Sequence, residues 1–275
     1  MSLRINQNIA SLNAYRNLSV NDSQMSKSLE KLSSGFRINR AADDAAGLVK
    51  SEGLRAEVRG SQQAVKNAQD GVSLVQTAEG ALNEVHAILQ RVRELAVDAA
   101  NTGTTDGTAQ QAEAAQLLKE VDDIGSQTKF AGLSVFSSTA VNFQVGAESG
   151  NTLSVTVGGL SSAAIGTGTA VNLGTVNLAT AGGAASAITA LDSAIAALSS
   201  QRASLGAVQN RFEHRIANLN VTVENLSASE SRIRDTDMAS EMANYTRSQV
   251  LTQAGTAMLA QANSAPQGVL QLLRG

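Results

Sequence analysis

Between Leu54 and Ala99, apolar residues recur in alternating steps of three and four: Leu54, Val58, Val65, Ala68, Val72, Val75, Ala78, Leu82, Val85, Leu89, Val92, Ala96 and Ala99, with a blank at Ser61 and an extra three-step at Ala78. Such a run keeps one face of a helix apolar for about 50 residues, roughly 75 Å at 1.5 Å per residue. Nothing interrupts it, because the 275-residue chain contains one proline, where ordinary usage would supply about 14. A lone helix cannot bury such a seam, so a long partner is required. Ile188, Leu191, Ile195, Leu198, Leu205, Val208, Phe212, Ile216, Leu219, Val223, Leu226 and Ile233 repeat the step, with blanks after Leu198 and Leu226. The two segments are expected to pack on each other across the long stretch between them.

Turn chemistry at Asn101 to Gly107 ends the first seam, and Ala109 to Gln127 reads as a second helix carrying Leu117, Leu118, Val121 and Ile124. From Lys129 to Asp192 the only charged residue inside the interval is Glu148, while Gly, Ser, Thr and Ala accumulate. There Val141, Phe143 and Val145 alternate with polar residues, Gly146 to Gly150 supplies a turn, and Leu153, Val155 and Val157 alternate again, a hairpin pattern. Val171, Leu173, Val176 and Leu178 suggest further strands. Aromatics make up 3% of the chain, so its apolar content suits thin helical seams better than a thick core. The predicted fold is mainly α: a long antiparallel helical rod or coiled coil built from paired N- and C-terminal segments, with a small central β-hairpin region near 141–157 and a variable Gly/Ser/Thr-rich segment near 158–187.

The ends carry their own stripes. Ile5, Ile9, Leu12, Tyr15, Leu18, Met25, Leu29 and Leu32 precede Ser33-Ser34-Gly35; Met238, Met242, Tyr245, Val250, Ala254, Ala257, Met258 and Ala262 precede Pro266, which is expected to close that helix before Val269, Leu270, Leu272 and Leu273. Eight large apolar side chains do not offset the entropy of ordering so long a segment alone. Pairing the two ends still leaves apolar surface uncovered. Both are therefore expected to order when further copies of the chain cover them.

Several function classes fall away. The chain has no cysteine, which excludes disulfides, thiol nucleophiles and sulfur-ligated zinc, and its two histidines, His86 and His214, sit in helical segments. His-Glu-x-x-His is absent; Gly47 to Ser51 lacks the glycines of a phosphate loop; after Gly166 and Gly168, Val171 stands where a dinucleotide fingerprint needs its third glycine. Asp43-Asp44 and Asp235 with Asp237 stand where helices begin and read as caps rather than as a catalytic pair. Net charge is −3, which with few aromatics gives no reason to expect nucleic acid or an anionic membrane. No uncharged apolar stretch of transmembrane length and no signal peptide is expected. The chain reads as no enzyme and needs no cofactor or metal.

The residues themselves carry a resemblance. Leu32-Ser33-Ser34-Gly35-Phe36-Arg37-Ile38-Asn39, followed by Ala42-Asp43-Asp44-Ala45-Ala46-Gly47-Leu48, resembles the N-terminal signature of bacterial flagellins. So do Asn67-Ala68-Gln69-Asp70-Gly71, Gln76-Thr77-Ala78-Glu79-Gly80-Ala81-Leu82 and Leu89-Gln90-Arg91-Val92-Arg93-Glu94-Leu95-Ala96-Val97. Towards the other end Gln209-Asn210-Arg211-Phe212, Ser231-Arg232-Ile233-Arg234-Asp235 and Met258-Leu259-Ala260-Gln261-Ala262-Asn263 match as well. The resemblance spans residues 1–130 and 188–275.

It implies an inner terminal helical domain from 1–45 with 235–275, ordered on assembly, and an outer helical domain from 46–234. It implies a structural subunit that self-polymerises into the motility filament of the bacterial flagellum, extracellular and exported through the flagellar channel without a cleaved signal peptide. Its partners would be other copies, an export chaperone at the C-terminal segment, and the filament cap and hook-junction proteins. Ile5, Ile9, Leu12, Leu29, Leu32, Met258, Leu270 and Leu273 are the candidate inner wall, and Arg37, Asp43 and Asp44 the connection between layers. Some flagellins are sensed by a Toll-like innate immune receptor, and Gln90, Arg91, Leu95 and Glu113 match that contact motif. The alternatives are a hook-filament junction protein, which would not form long filaments, and a receptor ligand or adhesin acting through the Gln90 to Leu95 surface.

Overall fold

A computed structural model describes residues 8–101, 107–166, 172–174 and 176–274, with backbone alone at 164, 166 and 265–274. In chain order the elements are α1 (Ile9–Ser34), α2 (Ala45–Ala99), α3 (Thr108–Gln127), β1 (Lys129–Phe130), β2 (Leu133–Ser134), β3 (Val141–Gln144), β4 (Thr152–Val155), β5 (Gly159–Ser161), β6 (Ala164–Gly166), α4 (Ala181–Arg234) and α5 (Met238–Arg274). The fold is mainly α, as read from the sequence, and divides into two compact units: residues up to 56 with those from 225 onward, and residues 57–224.

The 57–224 unit holds the apolar core. Its parts of α2 and α4 run antiparallel: Arg93 Nε meets Asp192 at 2.6 Å, and Arg202 approaches Glu79 further back along α2. Val75, Leu82, Val85, Leu89 and Val92 from α2 are fully buried against Leu191, Leu198, Leu205 and Phe212 from α4, with Val121 of α3 beside them. The blanks in the two seams are themselves seam positions. Ser61 is buried in the three-residue step after Val58, and Gln201, three after Leu198, is buried with its Nε2 donating to the Gly158 carbonyl at 3.3 Å. One 18-residue window of α4 reaches a mean hydropathy of 1.4, apolar enough by composition to cross a membrane. That window is not free of charge, since it contains Asp192, and α4 buries Ala184, Ala187, Leu191, Ala194 and Leu198 along it.

The central segment contains the expected hairpin. β3 and β4 pair antiparallel in the register Val141↔Val155 and Phe143↔Leu153. Two further antiparallel pairs, β1–β2 and β5–β6, went unread because two or three residues show no period. Leu173 and Leu178 are buried outside any strand, and Val171 lies outside the described residues.

In the terminal unit α1 and α5 pack antiparallel: Asn8 bonds Ala262, Ser11 bonds Asn263, and Phe36 bridges Asp235 at the other end. Asn8 caps α1 by accepting from the Ser11 N–H at 3.1 Å, and Gly35 ends it in the left-handed conformation at φ 75°, which glycine adopts without strain. Asp237 caps α5 through the N–H groups of Ala239 and Ser240. The sequence placed the end of this helix at Pro266, but α5 continues to Arg274. Proline removes one donor, the one that would serve Ala262, and Asn8 Nδ2 supplies another at 2.7 Å.

The less exposed positions of α1 include Ser11, Ala14, Leu18, Asn21, Met25, Ser28 and Leu32, with Glu30, Lys31 and Ser34 near its end; those of α5 are Glu241, Tyr245, Ser248, Thr252, Gly255, Leu259 and Ala262. From Ser11 to Leu32 and from Glu241 to Ala262 the positions step by three and four, the spacing of a two-helix seam. The seam is half polar, and among the described residues of these two helices Ser28 and Ser248 alone are buried. A Cβ at Gly255 would stand 3.3 Å from Leu18 Cδ1, so the helices lie close there.

Candidate assembly surface

The α1 stripe read from the sequence splits into two faces. Leu18, Met25 and Leu32 turn towards α5, while Ile9, Leu12, Tyr15 and Leu29 stand outside, Leu12 at 59% exposure and Tyr15 at 64%. On α5, Tyr245 and Ala262 lie on the seam, and Met238, Met242, Val250, Leu251 and Met258 are exposed, Met258 at 65%. Among the described residues, Ile38 is the only fully buried hydrophobic side chain of this unit. Of the large hydrophobics left exposed, all but Val97, Leu133 and Val221 belong to it. A helix pair with a polar seam and an apolar outside is suited to packing against something else.

Of the eight candidate wall residues, Ile9, Leu12, Leu29 and Met258 lie on this outer face. Leu32 is half-buried on the seam within the chain. Ile5 lies outside the described residues, and so do the side chains of Leu270 and Leu273.

The candidate connection residues hold the passage from α1 to α2. The Arg37 N–H donates to the Arg234 carbonyl at 2.7 Å and its Nη2 to the Ile233 carbonyl at 2.6 Å, tying the passage to the end of α4. Asp43 accepts from the N–H groups of Arg40 at 2.9 Å and Asn39 at 3.2 Å. These bonds, that of Arg40 first, hold the Asp43 carboxyl below its ordinary pKa. Asp44 caps α2 through the Gly47 N–H.

Sequence reasoning missed the ion network beside them. Glu52 meets Arg234 at 2.6 Å and Arg55 at 3.5 Å, and Arg55 reaches Glu230 at 3.0 Å. The Arg234 side chain is 12% exposed and lies 4.8 Å from the centre of the Phe36 ring. The available signal was the placing of opposite charges at helical spacing, Glu52 with Arg55 and Glu230 with Arg234.

In the other unit, Arg91 meets Glu113 at 2.9 Å and Glu94 at 3.3 Å, and the Glu113 bond, followed by that of Glu94, raises its pKa. Gln90 contacts His86 Nε2 at 3.0 Å. Leu95 is in the core and supports this surface from beneath. Among the described residues, no three His, Asp or Glu side chains gather as a metal ion would require.

Comparison with known proteins covers the chain from both ends. The family model for the bacterial flagellin N-terminal helical region matches residues 5–140, and that for the C-terminal helical region matches residues 188–273. The chain is 49% identical over 304 aligned residues to the flagellin of Bacillus subtilis (strain 168), covering 99% of this chain and 100% of that one. It is 50% identical over 274 residues to the flagellin of Halalkalibacterium halodurans, covering 98% and 99%. A flagellar filament 33 kDa core protein of Treponema phagedenis is 43% identical over 98% of this chain and 99% of that one. The crystal structure of Bacillus cereus flagellin aligns with 56% of this chain and 88% of that one at 31% identity, with a TM-score of 0.48.

Proposed function

The chain belongs to the bacterial flagellins, and from that membership we propose that its terminal helices form the inner wall of the polymer, with Ile9, Leu12, Leu29 and Met258 covered by neighbouring copies. Its function is that of a structural subunit of the flagellar filament, a component of an extracellular polymer built by self-assembly. The observation that carries the wall assignment is the inverted terminal unit, whose large apolar side chains stand outside a seam of small and polar residues. Inside a tube each copy contacts others through unlike patches, a heterologous arrangement that extends without closing.

On the same reading Ile5, Leu270 and Leu273 extend this wall, Leu32 locks α1 to α5 behind it, and Arg37, Asp43 and Asp44 connect the inner domain, 1–45 with 235–275, to the outer domain, 46–234. The terminal helices order fully on assembly, since Ile38 alone supplies their unit with a buried apolar anchor among the described residues. Before assembly the C-terminal segment is the part an export chaperone holds while the chain awaits passage through the flagellar channel; the filament cap and hook-junction proteins meet the same terminal surfaces. Gln90, Arg91 and Glu113 are the surface a Toll-like immune receptor would contact, with Leu95 shaping it from within. The junction-protein and adhesin readings gain nothing from the comparisons.

The test is seeded polymerisation followed by electron microscopy. Leu12→Asp and Met258→Asp are expected to abolish elongation while the melting of the 57–224 core stays within a degree or two of wild type, roughly the scatter of surface substitutions. Normal elongation by both variants would refute the wall assignment.

A further inference from the structure

One wall of a cleft of about 500 Å3 is formed by Arg211, His214, Arg215 and Asn218 of α4; the other is Val145 and the turn from Gly150 to Leu153. No carboxylate lines it. Arg215 is pinned there, its Nε donating to the Val145 carbonyl at 2.9 Å with its terminal nitrogens still available. Arg211, one turn earlier and exposed, has no hydrogen bond or ion pair in the structure. Two guanidinium groups four residues apart on a helix repel each other, and among the described residues no carboxylate forms an ion pair with either. The cleft is shaped and charged for a pair of carboxylates that it does not itself contain.

The same unit carries a complementary pair elsewhere. Glu120 and Asp123 stand one turn apart on α3 with neither carboxylate engaged. Asp122, which lies between them in sequence, is instead engaged by Ser162. Among the described residues of this unit, no other two unengaged carboxylates stand three or four apart. We propose that the Arg211–Arg215 cleft of one copy receives Glu120 and Asp123 of a neighbouring copy in the filament. Cleft and carboxylate pair are different patches of one unit, so the contact propagates from copy to copy and adds a charge-matched register to the apolar wall. This inference rests on the filament function stated above.

The absence of native cysteine makes the test direct. Chains carrying Arg211→Cys and chains carrying Glu120→Cys are doped together into an excess of wild-type chain, elongated from seeds and treated with a short bismaleimide. Covalent pairs joining one chain of each kind are expected in filaments and not in unassembled chain. Their absence from intact filaments, or equal linkage with either variant alone, overturns the contact. In a second arm, Arg211→Glu with Arg215→Glu is expected to raise the critical concentration for elongation roughly tenfold at low salt, and less at about 1 M salt where charges are screened. Adding Glu120→Arg and Asp123→Arg to the same chain is expected to bring it back to within about twofold. Failure of that restoration overturns the pairing, as does stabilisation of unassembled chain by inorganic phosphate without any link between copies. Wild-type chain that never elongates removes the filament function and this contact together; intact filaments without the link remove the contact alone.

Discussion

The side-chain amide of Asn8 donates to the carbonyl of Ala262 at 2.7 Å. Four residues beyond Ala262 stands Pro266, which has no N–H to offer that carbonyl, so Asn8 replaces the donor the helix lacks. The same side chain accepts from the Ser11 N–H and starts α1. One residue thus completes the beginning of one terminal helix and the interior of the other.

Asn8→Ala is therefore expected to lower the stability of the assembled terminal pair by about 1–2 kcal/mol, from a lost cap and a stranded carbonyl. In a Pro266→Ala background the carbonyl regains its own helical donor, and the cost of Asn8→Ala is expected to fall to that of the cap, about 1 kcal/mol or less. Thermal disassembly of filaments from the four chains measures both. Equal costs in the two backgrounds would show that Asn8 does not substitute for the proline-deleted bond.

Gly71 of α2 faces the Phe212 ring so closely that a Cβ there would stand 2.5 Å from its Cζ. The ring is fully buried and meets Phe143 of the hairpin edge-on, centroids 5.6 Å apart. Gly71→Ala is expected to destabilise the 57–224 unit by about 1–3 kcal/mol, the usual cost of overpacking. Adding Phe212→Leu should recover part of that loss, which separates overlap from a general effect on the helix. Calorimetric melting of the four variants decides it.

The long helices were legible because one period persists over many turns, and even the blanks kept it. Ser61, Gln201 and Glu230 sit where the next seam residue belongs; an apolar count sees a gap at each, while helical geometry continues through it. The terminal helices misled for the opposite reason. Their seam uses Ser11, Ser28, Ser248 and Gly255, whereas Ile9, Leu12 and Met258 point away, so the rule that apolar residues face the partner helix merges two faces into one stripe. It fails because those side chains stand exposed among the described residues, and on the proposed assembly it is a neighbouring copy that covers them. The contact of Arg234 with Glu52 was unreadable without the register of α4 against α2, which neither helix specifies alone.

Glu52→Gln removes the anion facing Arg234 and Arg55. Arg234 is mostly buried, with no described acceptor for its Nε–H, so the guanidinium has little water to fall back on. A loss of about 1–3 kcal/mol is expected, since a charged group left underpaired costs more than an exposed ion pair contributes. Arg234→Lys keeps the charge but loses the guanidinium held over the Phe36 ring, and should cost less than Arg234→Ala. Hydrogen exchange at Arg37, whose N–H donates to the Arg234 carbonyl, reports whether the passage between α1 and α2 loosens.

Asp43 gives this passage a pH dependence whose sign is fixed. The Arg40 and Asn39 N–H groups bond its ionised form, and Lys31 and Lys27 favour the same form at longer range, so its pKa in the folded chain lies below the unfolded value. The protonated form is thus more weakly held in the folded state. The contribution is complete above the unfolded aspartate value of about 4, and is lost as pH falls through the lower folded value. Asp43→Asn cannot ionise, and its advantage or deficit relative to wild type must change across that interval. The expected result is that wild type is the more stable above about pH 5 and that the difference closes on acidification towards pH 2. A gap that stays constant from neutral to acid pH would mean that the carboxylate charge does not hold this turn.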